Sequence, residues 1–424
     1  MLTVSHYCHI LLQLNHHIPR TGSAAVPIVS PMSSLPPELL LCILENVYHT
    51  PKGKPNYKLL KACARVCRLW SGPAQSLLFR SVTKRGHHNI HAFHAALLSS
   101  AARGKALGNC VRTLDITISS FSRTSGNSHN SSLTVAKLLQ VCPHVHDLSL
   151  VFYGVDLEEE SLEMLRVAGQ ELKTLSLVDY GSQRPILYQL LSIWPNIQSL
   201  KIGSTMSTSL PWGNDASSPP QSNADNAREV AQRNGAKICL HDLVLSFLLP
   251  PAVLAWLLAS STDSLRTIEL RESPGLMEKR ILTDILVPHA PRLRSLRLWF
   301  YNDDSAALLR ICTSLEELVL YGLELPPRCP LVPNLPPTIK HLTFRVGGYN
   351  YRITTLQPII DAVDALPNLK VLTCNRNMRR QQYDNFAILE GKCRMKGVVV
   401  VLSDGPTENW VGVMFYNNHC FRSS

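Results

Sequence analysis

One pattern recurs along most of this chain. An apolar residue is followed by two unrestricted positions, a second apolar residue, one more unrestricted position and a third apolar residue. Ten copies begin at Val111, Val145, Leu172, Ile197, Leu240, Leu265, Leu293, Leu315, Ile339 and Leu369. The alternation at the end of each copy is that of a strand with one buried face. Val398 to Leu402 reads as a final strand. Between the copies lie helical faces such as Leu187/Leu190/Leu191, Leu254/Leu257/Leu258 and Ile359/Ile360/Val363. Pro143, Pro195, Pro291 and Pro367 stand before the next strand, where a proline ends a helix. Strand–helix–strand units of this kind predict a parallel sheet with right-handed crossovers. A single unit cannot bury its own apolar face, so the units must stack into one shared core.

Successive copies start 22 to 34 residues apart, apart from one gap of 43. Most of these spacings fit the period of about 20–29 residues that marks leucine-rich repeats. The long gap holds a Ser/Asn/Pro stretch, predicted as a disordered insertion at 204–236. The array departs from regular leucine-rich repeats in one respect. The Asn expected after each strand is nearly absent, and Tyr153, Tyr180, Tyr301 and Gly347 stand there instead. In each copy the alternate positions face away from the core, onto the open sheet. From Arg271 to Arg345 these positions are richest in Arg and aromatic residues, the types favoured at interface centres. The residues expected to meet a protein target are therefore Arg271, Arg297, Trp299, Glu317, Tyr321, His341 and Arg345, with Trp299 and Tyr321 as the leading anchors. For each aromatic the alternative is plain packing against a neighbouring ring.

The segment before the array has a different design. Ser33-Ser34-Leu35-Pro36-Pro37-Glu38 is a helix-start signal, and Leu39, Leu40, Ile43, Leu44 and Val47 form one wide apolar stripe. After the turn-rich His49–Asn56, a second helical pattern runs through Leu59, Leu60, Cys63, Val66 and Cys67. Gly72-Pro73 is expected to break the chain after Trp70, and Leu77, Leu78 and Phe79 to make a third short face. Three helices this short are marginal alone, and an exposed apolar stripe implies a partner.

The order LPPELLLCILENV, LLKACARVCRLW, LLFRSV resembles the F-box, and the degenerate repeats resemble fungal members of that family. Leu35, Pro36, Glu38, Leu39, Ile43, Leu44, Leu60, Val66, Cys67, Arg68 and Trp70 match its pattern; the linker from Tyr48 to Tyr57 is longer than usual. The resemblance implies an α/β chain: a three-helix F-box at 32–82, a helical linker at 83–106 and a leucine-rich-repeat solenoid with a parallel sheet at 107–424. It implies that Leu35, Pro36, Glu38, Leu39, Ile43, Leu44, Leu60, Val66, Cys67 and Trp70 dock a Skp1-like adaptor, and through it a cullin. The chain would then be the non-catalytic substrate-recognition subunit of a ubiquitin ligase. The alternative is a repeat module that no longer engages the adaptor.

Composition narrows the remaining classes. With 45% apolar and 17% charged residues, the chain is an ordered globular type. Its net charge of +11 is spread along the sequence, so neither a nucleic-acid stripe nor a membrane patch is expected. No apolar run reaches the roughly 18 residues of a membrane span. Residues 1–31 are expected to be a disordered tail or the product of an upstream start codon. The 12 Cys show no pairing pattern and sit mostly in apolar surroundings, which suits reduced thiols in the cytoplasm or nucleus. No phosphate loop, nucleophile elbow or zinc-protease helix is present. Cys63/Cys67 and His87/His91/His94 have helical spacing but lack partner ligands, so no metal or other cofactor is expected.

Overall fold

Thirty apolar positions of the ten copies decide the architecture, and none of them is more than 6% exposed. Each copy contributes one strand. The computed structural model describes residues 35–50, 55–99, 101–119, 130–180, 186–203, 236–247, 249–271, 283–299, 301–321, 327, 329–344 and 355–403. The expected N-terminal tail, Ser33 and Ser34, Gly347, Arg345 and nearly all of the 204–236 insertion lie outside these residues.

The chain divides into two units. The first comprises the residues up to Leu150, with Leu157–Leu172. It holds helices α1 (Pro37–Asn46), α2 (Tyr57–Cys63) and α3 (Arg68–Arg80), strand β1 (Ser81–Arg85) and helices α4 (His87–Leu98) and α5 (Ala101–Gly108). These are followed by β2 (Thr113–Ser119), α6 (Asn130–Val141), the first residues of β3 (Asp147–Tyr153) and α7 (Glu159–Val167). The second unit carries β4 (Thr174–Tyr180), α8 (Ile186–Ile193), β5 (Ser199–Gly203), β6 (Asp242–Leu245), α9 (Pro251–Leu258), β7 (Thr267–Leu270) and β8 (Ser295–Leu298). It continues with α10 (Asp303–Ile311), β9 (Glu317–Leu320), β10 (His341–Phe344), α11 (Gln357–Ala365), β11 (Val371–Asn375), α12 (Arg376–Gln381), α13 (Tyr383–Met395) and β12 (Val399–Ser403). Within each unit the strand order is the chain order. In the second unit every neighbouring pair from β4 to β12 is parallel and in step, so that Leu243, Ile268, Leu296, Leu318, Leu342 and Leu372 occupy one rung position. This in-step register is what an α/β repeat array requires, because a slip by one residue would turn the apolar row outward.

Three features differ from the sequence expectation. A strand, β1, lies at the start of the segment read as a helical linker, and it pairs parallel with β2, Ser81 opposite Thr113. Only Val82 of this strand is buried, so it carries no repeat pattern. The second box helix ends at Cys63, not at Trp70, and Cys67 is the N-cap of α3. Gly72-Pro73 does not break the chain: α3 runs through Pro73. An interior proline costs a helix about 3 kcal/mol. Here Trp70, Ala74 and Leu77 on both sides of Pro73 bury into the same cluster, and that packing holds the helix together.

At Gly104 an added Cβ would collide with the carbonyl of Leu97, so α4 and α5 can approach only because this position has no side chain. The ten described cysteines are all free. Burial pushes the thiols of Cys142, Cys312 and Cys374 up to about 12, so these behave as inert apolar packing. Among the described residues no helix is long and apolar enough to cross a membrane.

Candidate functional site

On the open face of the second unit, three of the residues expected to meet a target, Arg271, Arg297 and Tyr321, converge on Glu269, an outward position outside that expected set. Register places Glu269 of β7 beside Arg297 of β8, Ser295 beside Glu317 of β9, and Glu317 beside His341 of β10. Arg271 Nε donates to Glu269 Oε1 at 2.7 Å, and the Tyr321 hydroxyl donates to the same oxygen at 2.8 Å. Arg297 bridges two carboxylates, with Nη1 3.4 Å from Glu269 Oε2 and Nη2 3.1 Å from Glu317 Oε2. The Ser295 hydroxyl donates to Glu317. His341 Nδ1 lies 3.7 Å from Glu317 Oε1, and its Nε2 lies 3.0 Å from the Thr373 hydroxyl.

The physical effect of this arrangement is a charged row that is satisfied from within. Burial raises the Glu269 carboxyl, but the bonds from Arg271 and Tyr321 and the charge of Arg297 outweigh it and hold the group below the ordinary carboxylate range. Burial likewise opposes ionisation of Glu317, and Ser295, Arg297 and His341 reverse that effect. Arg297 is held above its usual value despite burial, chiefly by Glu317. Its Nε is buried without a hydrogen-bond partner among the described residues. The Trp299 ring stacks on Tyr321 with centroids 6.0 Å apart. Tyr321 is itself buried on this face and its hydroxyl supports the network, while Trp299 stays half-buried at the surface. Where the repeats lack their usual Asn, Tyr rings stand at or just after the strand ends. Tyr153 and Tyr180 stack at 4.6 Å, and the Tyr301 hydroxyl donates to the Pro330 carbonyl at 2.8 Å.

Glu269 was legible in one way only. It lies two residues before Arg271 in the outward register, so both side chains leave the same face. Its role as the hub depends on Tyr321, which lies 52 residues away in sequence.

In the first unit, the box residues separate into two groups. Leu44 and Leu60 are wholly buried and Trp70 nearly so, in one cluster with Leu40, Tyr48, Cys63, Ala74 and Leu77. These three hold the helices together. Leu35 and Ile43 are half-buried. Pro36, Glu38 and Cys67 are exposed, Leu39 is 52% exposed and Val66 is 47% exposed. The long linker is closed by a bridge between His49 and Pro55 and by the Asn56 backbone N–H donating to the Tyr48 carbonyl at 2.6 Å, and an Arg80–Glu45 ion pair at 3.0 Å ties α3 to α1.

The His87 and His91 rings stack at 6.3 Å on α4. Among the described residues no group of three or more His, Cys, Asp or Glu side chains could hold a metal ion.

No protein-family model and no curated protein matches the chain. Among solved structures, it is similar to the leucine-rich repeat-containing protein LegL7 of Legionella pneumophila, with 14% identity, 70% of this chain and 84% of that chain covered, and a TM-score of 0.37. It is also similar to an internalin of Listeria monocytogenes, with 12% identity, 82% of this chain and 88% of that chain covered, and a TM-score of 0.32.

Proposed function

We propose that the chain is the substrate-recognition subunit of a ubiquitin ligase of the Skp1–cullin–F-box type. The box binds a Skp1-like adaptor, and the repeat sheet binds a protein target. The observation that carries this reading is the division within the box. Leu44, Leu60 and Trp70 close a core, while Leu39 and Val66 remain at the surface as large apolar side chains. A segment needed only to end the array would present a polar outer surface. The chain itself supplies no catalytic group in this reading. It raises the local concentration of the target beside the ligating enzyme, and the rate gain comes from proximity. Half-exposed Arg271, Arg297, Trp299 and His341 form the target face. A cytoplasmic or nuclear location follows from the partners. The second reading, a repeat module that does not engage the adaptor, draws on how much of the box motif is used for internal packing.

The test is a pull-down of the Skp1 adaptor by the full chain, wild type beside a Leu39→Asp/Val66→Asp variant. Both substitutions fall on exposed positions and leave the core intact. Binding by wild type and loss of about tenfold or more in the variant supports the ligase subunit. A folded wild type that does not bind supports the second reading.

A further inference from the structure

The basic residues that look scattered in sequence line up along one edge of the second unit. The residue just before each strand donates its backbone N–H to the carbonyl of its counterpart one rung earlier. Gln198 donates to Lys173, His241 to Gln198, Arg266 to His241, Arg294 to Arg266, Glu316 to Arg294, Lys340 to Glu316 and Lys370 to Lys340, all at 2.7–2.8 Å. This unbroken backbone column sets Lys173, Arg266, Arg294, Lys340 and Lys370 in a single row, interrupted by only one acid, Glu316. A groove of about 580 Å³ opens along the row, lined by Arg266, Arg292, Arg294, Glu316, Lys340 and Asn368 among others.

We propose that this groove docks an acidic, carboxylate-rich segment of a partner protein. Among its described lining residues four are cations and one is an acid. Arg292 is paired with Asp263, and Lys340 with Glu316 at 3.1 Å. Among the described residues, exposed Arg294 makes no ion pair, and the Arg266 guanidinium donates only to the backbone carbonyl of Leu265 at 3.0 Å. The groove therefore keeps a surplus of positive charge, which a run of carboxylates would complement. On the sheet face of the same strands, by contrast, the guanidinium groups of Arg271 and Arg297 already have carboxylate partners. With rungs about 4.8 Å apart, Arg266 to Lys340 spans three steps, or roughly 14 Å, the length of about four extended residues. Among the described residues the lining has no aromatic side chain on which a base could stack, which favours a peptide over a single-stranded nucleic acid. The proposal is independent of adaptor binding by the box.

The experiment uses the full chain and a fluorescent oligoglutamate peptide, with binding read by anisotropy across a salt series. Wild type should bind, with affinity falling as salt rises. An Arg294→Glu/Lys340→Glu variant, shown by thermal melting to stay folded, should bind roughly tenfold or more weakly. An Arg379→Glu/Arg380→Glu variant makes the same charge change on the exposed surface of α12 and should retain binding. Absence of wild-type binding overturns the proposal, as does an equal loss in both variants, which would mark attraction to net charge alone. A single-stranded oligonucleotide that binds more tightly than oligoglutamate and is released by Arg294→Glu/Lys340→Glu would also overturn it, in favour of a nucleic-acid face.

Discussion

The strands of the second unit carry two charged rows, one on the sheet face and one at the edge before each strand, and the two follow opposite rules. On the face, signs alternate: Glu269 meets Arg271 and Arg297, and Arg297 meets Glu317. At the edge, like charges stand in file from Arg266 to Arg294 and from Lys340 to Lys370. Solvent explains the difference. The Glu269 side chain is only 6% exposed, and a buried charge must be paired and hydrogen-bonded. Lys340 and Arg294 are exposed, so water screens them and repulsion between neighbours costs little. A fully paired row fixes local structure, whereas a row with surplus cations leaves charge available to a partner.

Substitution should separate the rows most sharply at their acids. Glu269→Ala leaves the Arg271 guanidinium and the Tyr321 hydroxyl without their carboxylate and Arg297 with only Glu317, and should destabilise the protein by about 3 kcal/mol in denaturant titration. Glu316→Ala removes the acid of the edge row, whose ion pair with Lys340 is about half exposed, and should cost under about 0.5 kcal/mol. Equal costs would erase the distinction. Tyr321→Phe keeps the ring against Trp299 but removes the bond to Glu269, and should cost about 1.5 kcal/mol by the same measurement.

The smallest effect is in acid. The folded-state values of Glu269 and Glu317 lie below their unfolded values, so their contribution is fully present above the unfolded value, near pH 4.5. It is lost as pH falls through the folded values. Thermal midpoints of wild type should therefore drop below about pH 4.5 more steeply than those of Glu269→Gln, which has no charge to lose there. Parallel curves would place the acid sensitivity elsewhere.

The repeat pattern located all ten strands from β2 to β11, because three inward apolar residues leave a strong period-two signal. β1 escaped because only Val82 points inward at that rung. Pro73 misled because local propensity forbids what the cluster around Trp70 and Leu77 stabilises. The face residues Arg271, Arg297, Glu317, Tyr321 and His341 were legible from strand alternation. That Tyr321 would bond Glu269 was not, since the partner is set by register across three strands and not by neighbours in sequence.

By itself, then, the sequence determined the repeat, its strands and which side chains leave the core, because those follow from the periodicity of apolar residues. It determined a charge of +11 without its placement. Only the tertiary structure decided that Arg266, Arg294 and Lys340, from repeats more than twenty residues apart, share one edge, while Arg271 and Arg297 are neutralised on the face. The reason is geometric. Stacking in step turns a position within the repeat into a column in space, and the solvent around that column decides whether its charges must pair.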